Sequence, residues 1–325
     1  MSSLKAPFPY FGGKSAVAHL VWQRFGPVKN YVEPFFGSGA VLLGRPHKPG
    51  IETVNDLDGF LANFWRALSL DPEGVAAAAD WPVNEVDLHA RHSWLVTQRE
   101  DLTDSLMGDP SFYDSKIAGW WVWGLCSWIG AGWCSGKGPW TSEDGRLVNT
   151  GNAGQGINRQ LPHLGNAGRG INRQLPHLGD AGQGILEMML RLSERLRGVR
   201  VCCGDWRRVC GPSVTTKLGI TGMMLDPPYG QAGVGRAECY AVEDYSVAAE
   251  VLEWCAEAGV NPMMRIALCG YEGEHERLEN LGWSVVRWKA QGGLSVSGSR
   301  GEGNASRERI WFSPHCLGTK QMRLI

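Results

Sequence analysis

The chain has 325 residues, 43% hydrophobic and 20% charged, and a formal net charge of −1. At roughly 100–200 residues per domain this allows about two domains, or one with a large insertion, and it excludes a wholly disordered or polybasic chain. No apolar run approaches the ~18 residues of a spanning helix and residues 1–7 hold no apolar signal core, so a soluble cytoplasmic protein is expected.

Taken along the chain, residues 31–33 read as a short strand and residues 40–43 open a helix. Residues 51–55 read as a strand. Residues 60–70 form an amphipathic helix with Phe60, Leu61, Phe64, Trp65 and Leu68 on its apolar face. After a long interruption, residues 185–196 read as a helix, 199–203 as a strand, 223–225 as a buried strand, 246–258 as a helix and 264–268 as a strand. Residues 309–312 close the series as a strand. Strand and helix in alternation predict an α/β fold, a parallel sheet with crossover helices. The interruption, about 76–184, differs in texture and reads as a mid-chain insertion.

Two features mark that insertion. Trp120, Trp121, Trp123, Trp128, Trp133 and Trp140 crowd one stretch, and three of them roughly follow helical spacing. Packing into a core is the favoured reading; stacking on bases is the alternative. A 14-residue unit then recurs: the segment from Gly151 to Leu164 is repeated almost unchanged from Gly165 to Leu178, and a partial copy starts at Gly179. Its glycines and prolines argue against regular structure. It reads either as a loop array presenting Arg159, Arg169 and Arg173 or as a linker without a role.

Charge is unevenly spread. Residues 1–50 carry six basic and one acidic side chain, residues 51–115 three and thirteen, and residues 159–208 nine arginines against four acids. A neutral total can thus hide a basic face for phosphates, although charge alone slightly favours ordinary solvated surface. The nine cysteines form no Cys-x-x-Cys pair and read as free thiols of a reducing compartment. No zinc or magnesium cluster is visible, and no metal is expected.

Three motifs carry chemistry. In Glu33-Pro34-Phe35-Phe36-Gly37-Ser38-Gly39 a strand ends in a glycine turn before a helix, so backbone can approach a ligand closely. The spacing is not that of a dinucleotide-binding loop. Asn55-Asp56 ends the next strand, where an acid can accept both hydroxyls of a ribose, with Asp58 as a competitor. Asp226-Pro227-Pro228-Tyr229 follows a buried strand. Its prolines stiffen the turn and leave carbonyls as acceptors. An acidic acceptor, a carbonyl and an aromatic ring suit a planar base bearing an amine. Holding both amine hydrogens frees the nitrogen lone pair for attack on an electrophilic methyl.

With Pro9-Tyr10-Phe11-Gly12-Gly13-Lys14 placed before them, these motifs resemble, in order, four stations of the Dam-type, D12 class DNA adenine methyltransferases. The resemblance covers roughly residues 1–70 and 185–320. It implies a Rossmann-like methyltransferase sheet with helices on both faces (residues 1–75 and 185–325) and an inserted target recognition domain at 76–184, with the repeats at 151–184. It implies S-adenosylmethionine as cofactor. Tyr10 and Lys14 would line its pocket, Lys14 touching either cofactor or target base. Pro34, Phe35, Gly37 and Gly39 would shape the methionine end, Asp56 would take the ribose, and Asp205 and Trp206 would lie at the adenine. Asp226 and the Pro227 carbonyl would bind the target amine, Pro228 would stiffen the turn, and Tyr229 would stack on a base flipped out of double-stranded DNA. Arg159, Arg169, Arg173, Arg300 and Arg307 are expected near the DNA backbone.

This chain departs from the family at Trp206, where phenylalanine is usual, and in its repeats. Trp128-Ile129-Gly130 only loosely matches the family's aromatic-Asn-Gly element, so no target sequence transfers. The alternatives are transfer to the cytosine amine or to RNA, and a catalytically silent DNA-binding relative. The last predicts a degraded catalytic turn or ribose acid, and both are intact here. A monomer or weak dimer is expected, in a bacterial or phage-infected cell, with a cognate restriction enzyme as a further candidate partner and no membrane association.

Overall fold

The computed structural model describes residues 4–8, 10, 13–128, 133–134, 140–143, 146–149, 180–228, 246–288 and 307–318. Its elements are α1 (Ala18–Phe25), β1 (Asn30–Glu33), α2 (Ala40–Leu43), β2 (Ile51–Asp56), α3 (Gly59–Leu70), α4 (Pro72–Ala79), α5 (Glu85–Gly108), α6 (Ser115–Ser127), β3 (Trp140–Glu143), β4 (Arg146–Asn149), α7 (Asp180–Leu196), β5 (Val199–Cys203), β6 (Thr221–Leu225), α8 (Ser246–Ala258), β7 (Met264–Tyr271), β8 (Ser284–Arg287) and β9 (Glu308–Phe312).

Seven strands form one sheet in the order β5-β2-β1-β6-β7-β9-β8, and β3 and β4 form a separate antiparallel pair. The first five strands of the sheet run parallel, while β9 pairs antiparallel with β7 and β8. Every residue of β1 and β6 is buried, as expected of central parallel strands covered on both faces. Alternate side chains feed two cores. Tyr31, Met224, Ala267, Ile310 and Phe312 join the core built by α1 and α3, whereas Val32, Met223, Leu225, Ile266, Leu268 and Trp311 join Val251 and Cys255 of α8.

The chain winds outward from β1 through β2 to β5, then returns to β6 on the other side of β1. This reversal opens a crevice beyond the carboxyl ends of β1 and β6, the usual ligand position of open α/β sheets.

Local signals explain the helices. Asp58, Asp71, Asn84 and Asp114 each cap a helix by accepting a backbone N–H two or three residues on. The apolar face read on α3 is fully buried, at 0–1% exposure for Phe60, Leu61, Phe64, Trp65 and Leu68. The tryptophan block packs inward: Trp121, Trp123, Trp128 and Trp133 are buried. Trp121 lies against Phe8 and Phe64 at 5.3 and 5.8 Å between ring centres. Helices α4 and α6 share one continuous core with α3 and α7, so this part of the 76–184 segment is a layer on the sheet. The repeats at 151–179, with Arg159, Arg169 and Arg173, lie outside the described residues, as do Tyr229 and Arg300.

Some elements differ from the sequence reading. The helix expected after the glycine bend is the single turn α2. Helices α1, α4 and α5, the β3–β4 pair and the edge strand β8 add to the elements expected. Strand β8 hides its signal because it is exposed at three of four positions. The eight described cysteines are all free. Among the described residues, no helix is long and apolar enough to cross a membrane. None of their His, Cys, Asp and Glu side chains form a group of three able to hold a metal ion.

Candidate active site

A cavity of about 230 Å³ fills the crevice at the reversal point. The bend after β1, the end of β2, the turn after β5 and the turn after β6 all contribute to its wall.

Gly37 sits at φ 49°, and a Cβ there would lie 2.8 Å from the Tyr10 ring. Only glycine lets that ring close over the bend. The Gly37 amide donates to Asp56 Oδ2 at 3.0 Å, and its carbonyl accepts from Trp65 Nε1 at 3.0 Å. The bend is thereby fixed from both sides. Gly39, at φ 67°, is not among the residues lining the cavity; a Cβ there would come within 2.8 Å of the Phe36 ring. With α2 only one turn long, the helix-start contribution expected from sequence is minor, and the bend acts through its own shape.

Asn55 braces the site from beneath. Its Nδ2 donates to the carbonyls of Pro34 at 3.1 Å and Gly204 at 2.8 Å, tying the ends of β1, β2 and β5 together. Asp56 accepts from the amides of Gly37 and Asp58, at 3.0 Å each. Burial nevertheless outweighs these bonds and pushes its carboxyl from 3.8 up to about 6. Asp58 is shifted upward for the same reason, opposed by Arg99, whose Nη1 lies 3.5 Å from Oδ1. Arg99 also donates to the Cys134 carbonyl, so the cavity wall is linked to the segment that follows α6.

Beyond β5, Asp205 is exposed and pairs with Arg207 at 3.1 Å. Trp206 is buried and stacks on Phe35, with ring centres 6.2 Å apart and planes 28° apart. Its indole Nε1 is buried without a partner. Both rings and Asp205 line the cavity.

Asp226 and Pro228 line the wall beyond β6, while Pro227 is buried behind them. Lys14, itself buried, places Nζ 2.7 Å from Asp226 Oδ2 and 3.9 Å from Glu308 Oε2. Glu33 is buried beside them and accepts from the Tyr31 hydroxyl at 2.8 Å. Burial holds the Glu33 carboxyl well above the usual carboxylate range.

Of the residues expected at the site, Tyr10, Lys14, Pro34, Phe35, Gly37, Asp56, Asp205, Trp206, Asp226 and Pro228 meet in this one cavity. Arg307 is described but stands apart from it, with its guanidinium 5.5 Å from the Tyr271 ring centre. Asn55 as a brace and Glu308 as a neighbour of Lys14 were missed. Asn55 was visible only as the residue before an acid, and Glu308 only as a charge at the start of an apolar strand.

A parallel sheet that reverses beside β1, with β9 inserted antiparallel between β7 and β8 and an acidic cavity at the reversal, is that of a Rossmann-like methyltransferase. Residues 10–90 match the family described as D12 class N6 adenine-specific DNA methyltransferase. This match supports an adenine-specific DNA methyltransferase of the D12 type. A comparison with curated proteins finds no match. The family match spans the bend and the Asp56 strand; the Asp226 turn lies beyond it and joins them through the shared cavity.

The family's methyl donor is S-adenosylmethionine. The cavity suits it. Asp56, Asp58, Asp205 and Asp226 outnumber the single lysine in the lining, which suits a cationic ligand. The Phe35–Trp206 pair offers a flat apolar wall with an unpartnered donor.

Proposed function

We propose that this chain binds S-adenosylmethionine in the cavity described and methylates the exocyclic nitrogen of adenine at one short sequence in double-stranded DNA, on a base turned out of the duplex. The observation that carries this reading is the common cavity of the Gly37 bend, Asp56 and the Asp226 turn. When bound, S-adenosylmethionine supplies an electrophilic methyl group on a sulfonium sulfur.

The chain's own residues account for the rest. Asp56 is the acceptor for the ribose hydroxyls, and Trp206 and Phe35 form the wall for the adenine of the donor, with Asp205 at its edge. Tyr10 and the Pro34–Gly37 backbone close the methionine end. The Asp226 carboxylate accepts one hydrogen of the target amine and the Pro227 carbonyl the other. This holds the nitrogen lone pair toward the methyl and stabilises the positive charge that develops on nitrogen. Turning a base out of the stack costs a few kcal/mol. Stacking on Tyr229 and phosphate contacts from Arg159, Arg169, Arg173, Arg300 and Arg307 would offset it. Holding both reactants in line can supply about 7–11 kcal/mol of such a barrier.

Residues 1–75 and 185–325 are assigned to catalysis and the 76–184 segment to target recognition. Residues of α4 and α6 join the core, and on this reading target recognition is assigned to the part beyond Cys134. The same reading takes the enzyme as a cytoplasmic monomer or weak dimer, with a restriction endonuclease of matching specificity as a candidate partner.

The test is incubation of unmethylated DNA with S-adenosylmethionine, followed by nucleoside mass spectrometry and methylation-aware sequencing. N6-methyladenine in one short motif is expected, with at least a hundredfold loss in Asp226→Ala. Methylcytosine as the product would refute the adenine assignment. Absence of both product and cofactor uptake would favour the silent DNA-binding relative.

A further inference from the structure

We propose that Arg99 is a positioning residue for target recognition: by holding Asp58 and the Cys134 carbonyl at once, it fixes where the recognition segment leaves the core relative to the cavity. The inference rests on the reading that the chain beyond Cys134 recognises the DNA.

A backbone angle points to this place. Cys134 lies at φ 56°, the one residue other than glycine with a positive φ among the described residues. A residue with a side chain keeps that left-handed conformation only where its surroundings over-determine it, and such positions gather at functional sites. The thiol does not explain the position. Cys134 is fully buried, and burial pushes its thiol well above the ordinary cysteine range, away from the reactive thiolate. What the surroundings hold is the backbone. Its N–H donates to His92 Nδ1 at 3.3 Å, and its carbonyl accepts from Arg99 Nη2. Both partners stand on α5.

Arg99 also reaches the other way. Its Nη1 lies 3.5 Å from Asp58 Oδ1, and its guanidinium lies over the Phe60 ring, 4.8 Å from the centre. Asp58 lines the cavity, caps α3 by accepting from the Phe60 amide at 3.0 Å, and donates its own amide to Asp56 Oδ1 at 3.0 Å. One planar fork therefore joins the cavity wall to the start of the recognition segment. The ion pair is partly exposed, at 25% for Arg99 and 20% for Asp58, so it adds little energy by itself. Its weight is geometric. Two nitrogens of one rigid group hold two acceptors that are distant in the chain, which the single nitrogen of a lysine does not do. Strand β3, further along the segment, packs on α5 as well, so that helix is the common support.

A loosened anchor would leave the recognition segment in several positions, only some of which suit the DNA. Binding then has to select among them. The apparent affinity for DNA falls by the fraction that is competent, while the complex, once formed, reacts as before.

The test uses the full chain, saturating S-adenosylmethionine and DNA carrying the motif found by methylation-aware sequencing. Arg99→Lys keeps the positive charge and removes the fork. The expected result is a KM for DNA raised at least fivefold, with kcat and the calorimetric affinity for S-adenosylmethionine within threefold of wild type. A smaller rise in KM overturns the proposal. A merely structural role predicts the opposite split, a lowered kcat from a smaller folded fraction at unchanged KM, and that result overturns it too. Amide hydrogen exchange gives a second reading: the Cys134 amide should exchange slowly in the wild type and at least tenfold faster in Arg99→Lys, and equal rates overturn the proposal. If Arg99→Lys melts below the assay temperature, Asp58→Asn decides, since its side-chain oxygen still caps α3 but no longer carries the charge that faces Arg99. A raised KM for DNA at saturating donor supports the proposal, and an unchanged KM overturns it. Failure of the underlying reading is seen separately, as bound DNA that protects no amide among residues 135–179 of the wild type.

Discussion

Acidification should loosen S-adenosylmethionine binding through one side chain, Asp56. Burial raises its carboxyl from 3.8 to about 6 against the pull of the Gly37 and Asp58 amides. The raised value means that the free protein holds a proton there at a pH where an exposed aspartate has lost it. Ribose hydroxyls donate hydrogen bonds, so the ionised form is the one that binds, and the proton must leave on binding. Affinity is then full above about pH 7 and falls as pH drops through 6. At pH 5 roughly one carboxyl in ten is ionised, which weakens binding about tenfold, or about 1.4 kcal/mol. Isothermal calorimetry at pH 5 and pH 7, in two buffers of different ionisation enthalpy, reads both the affinity and the proton released. Near pH 6 about half a proton should leave per ligand bound. In Asp56→Asn the affinity should be weak and flat across the range. Equal wild-type affinity at the two pH values would refute the reasoning. A slope that survives in Asp56→Asn would move the titration to Asp58, which burial also shifts upward.

Two substitutions test the frame around the cavity. Gly37→Ala forces a left-handed φ of 49° on a residue with a side chain and drives its Cβ to within 2.8 Å of the Tyr10 ring. The backbone term alone is about 1–2 kcal/mol; thermal unfolding should show that loss and calorimetry at least a tenfold weaker donor affinity, whereas wild-type binding would deny the bend its role. Arg195→Met removes a two-pronged partner from Glu52, which is 3% exposed and otherwise held by Arg45 at 2.9 Å. Leaving that carboxylate half-paired should cost about 3 kcal/mol in urea unfolding, and a loss under 1 kcal/mol would contradict the assignment.

The fold was legible where the apolar period is unbroken. Residues 246–258 were read as a helix with the bounds that α8 has, and the strands β1, β2, β5, β6 and β7 were found within a few residues. Helix α5 escaped because polar residues occupy its buried stripe. Leu88, His92, Leu95, Leu102 and Leu106 follow one face, joined by Arg91, yet Arg and His read as surface. The structure makes that burial tolerable by packing Arg91 against the rings of Trp81, Trp120 and Trp123, at 4.9, 4.7 and 4.4 Å. Such compensation depends on residues distant in the chain, and no local pattern carries it. The same holds at the site. The four motifs named its parts, but the pairing of Lys14 with Asp226 and Glu308, and the Phe35–Trp206 stack, exist only once the sheet brings the strand ends together.

The tryptophan block bears on how such an enzyme recognises DNA. Aromatic crowding beside glycines suggests rings free to stack on bases. The described rings are already engaged: Trp121 with Phe8 and Phe64, Trp128 with His92 at 4.8 Å, and Trp133 with Trp128 at 5.3 Å. Gly124 allows this packing, since a Cβ there would fall 1.8 Å from the Trp133 ring. Pulling any of these rings out to meet a base would open a cavity in the core, at about 3–5 kcal/mol for a residue of that size. A single stacked base returns only about 1–3 kcal/mol. The exchange is unfavourable, so these tryptophans belong to the fold. On our reading, the grip on a turned-out base then falls to the ring that adjoins Pro228, and sequence recognition to the chain beyond Cys134.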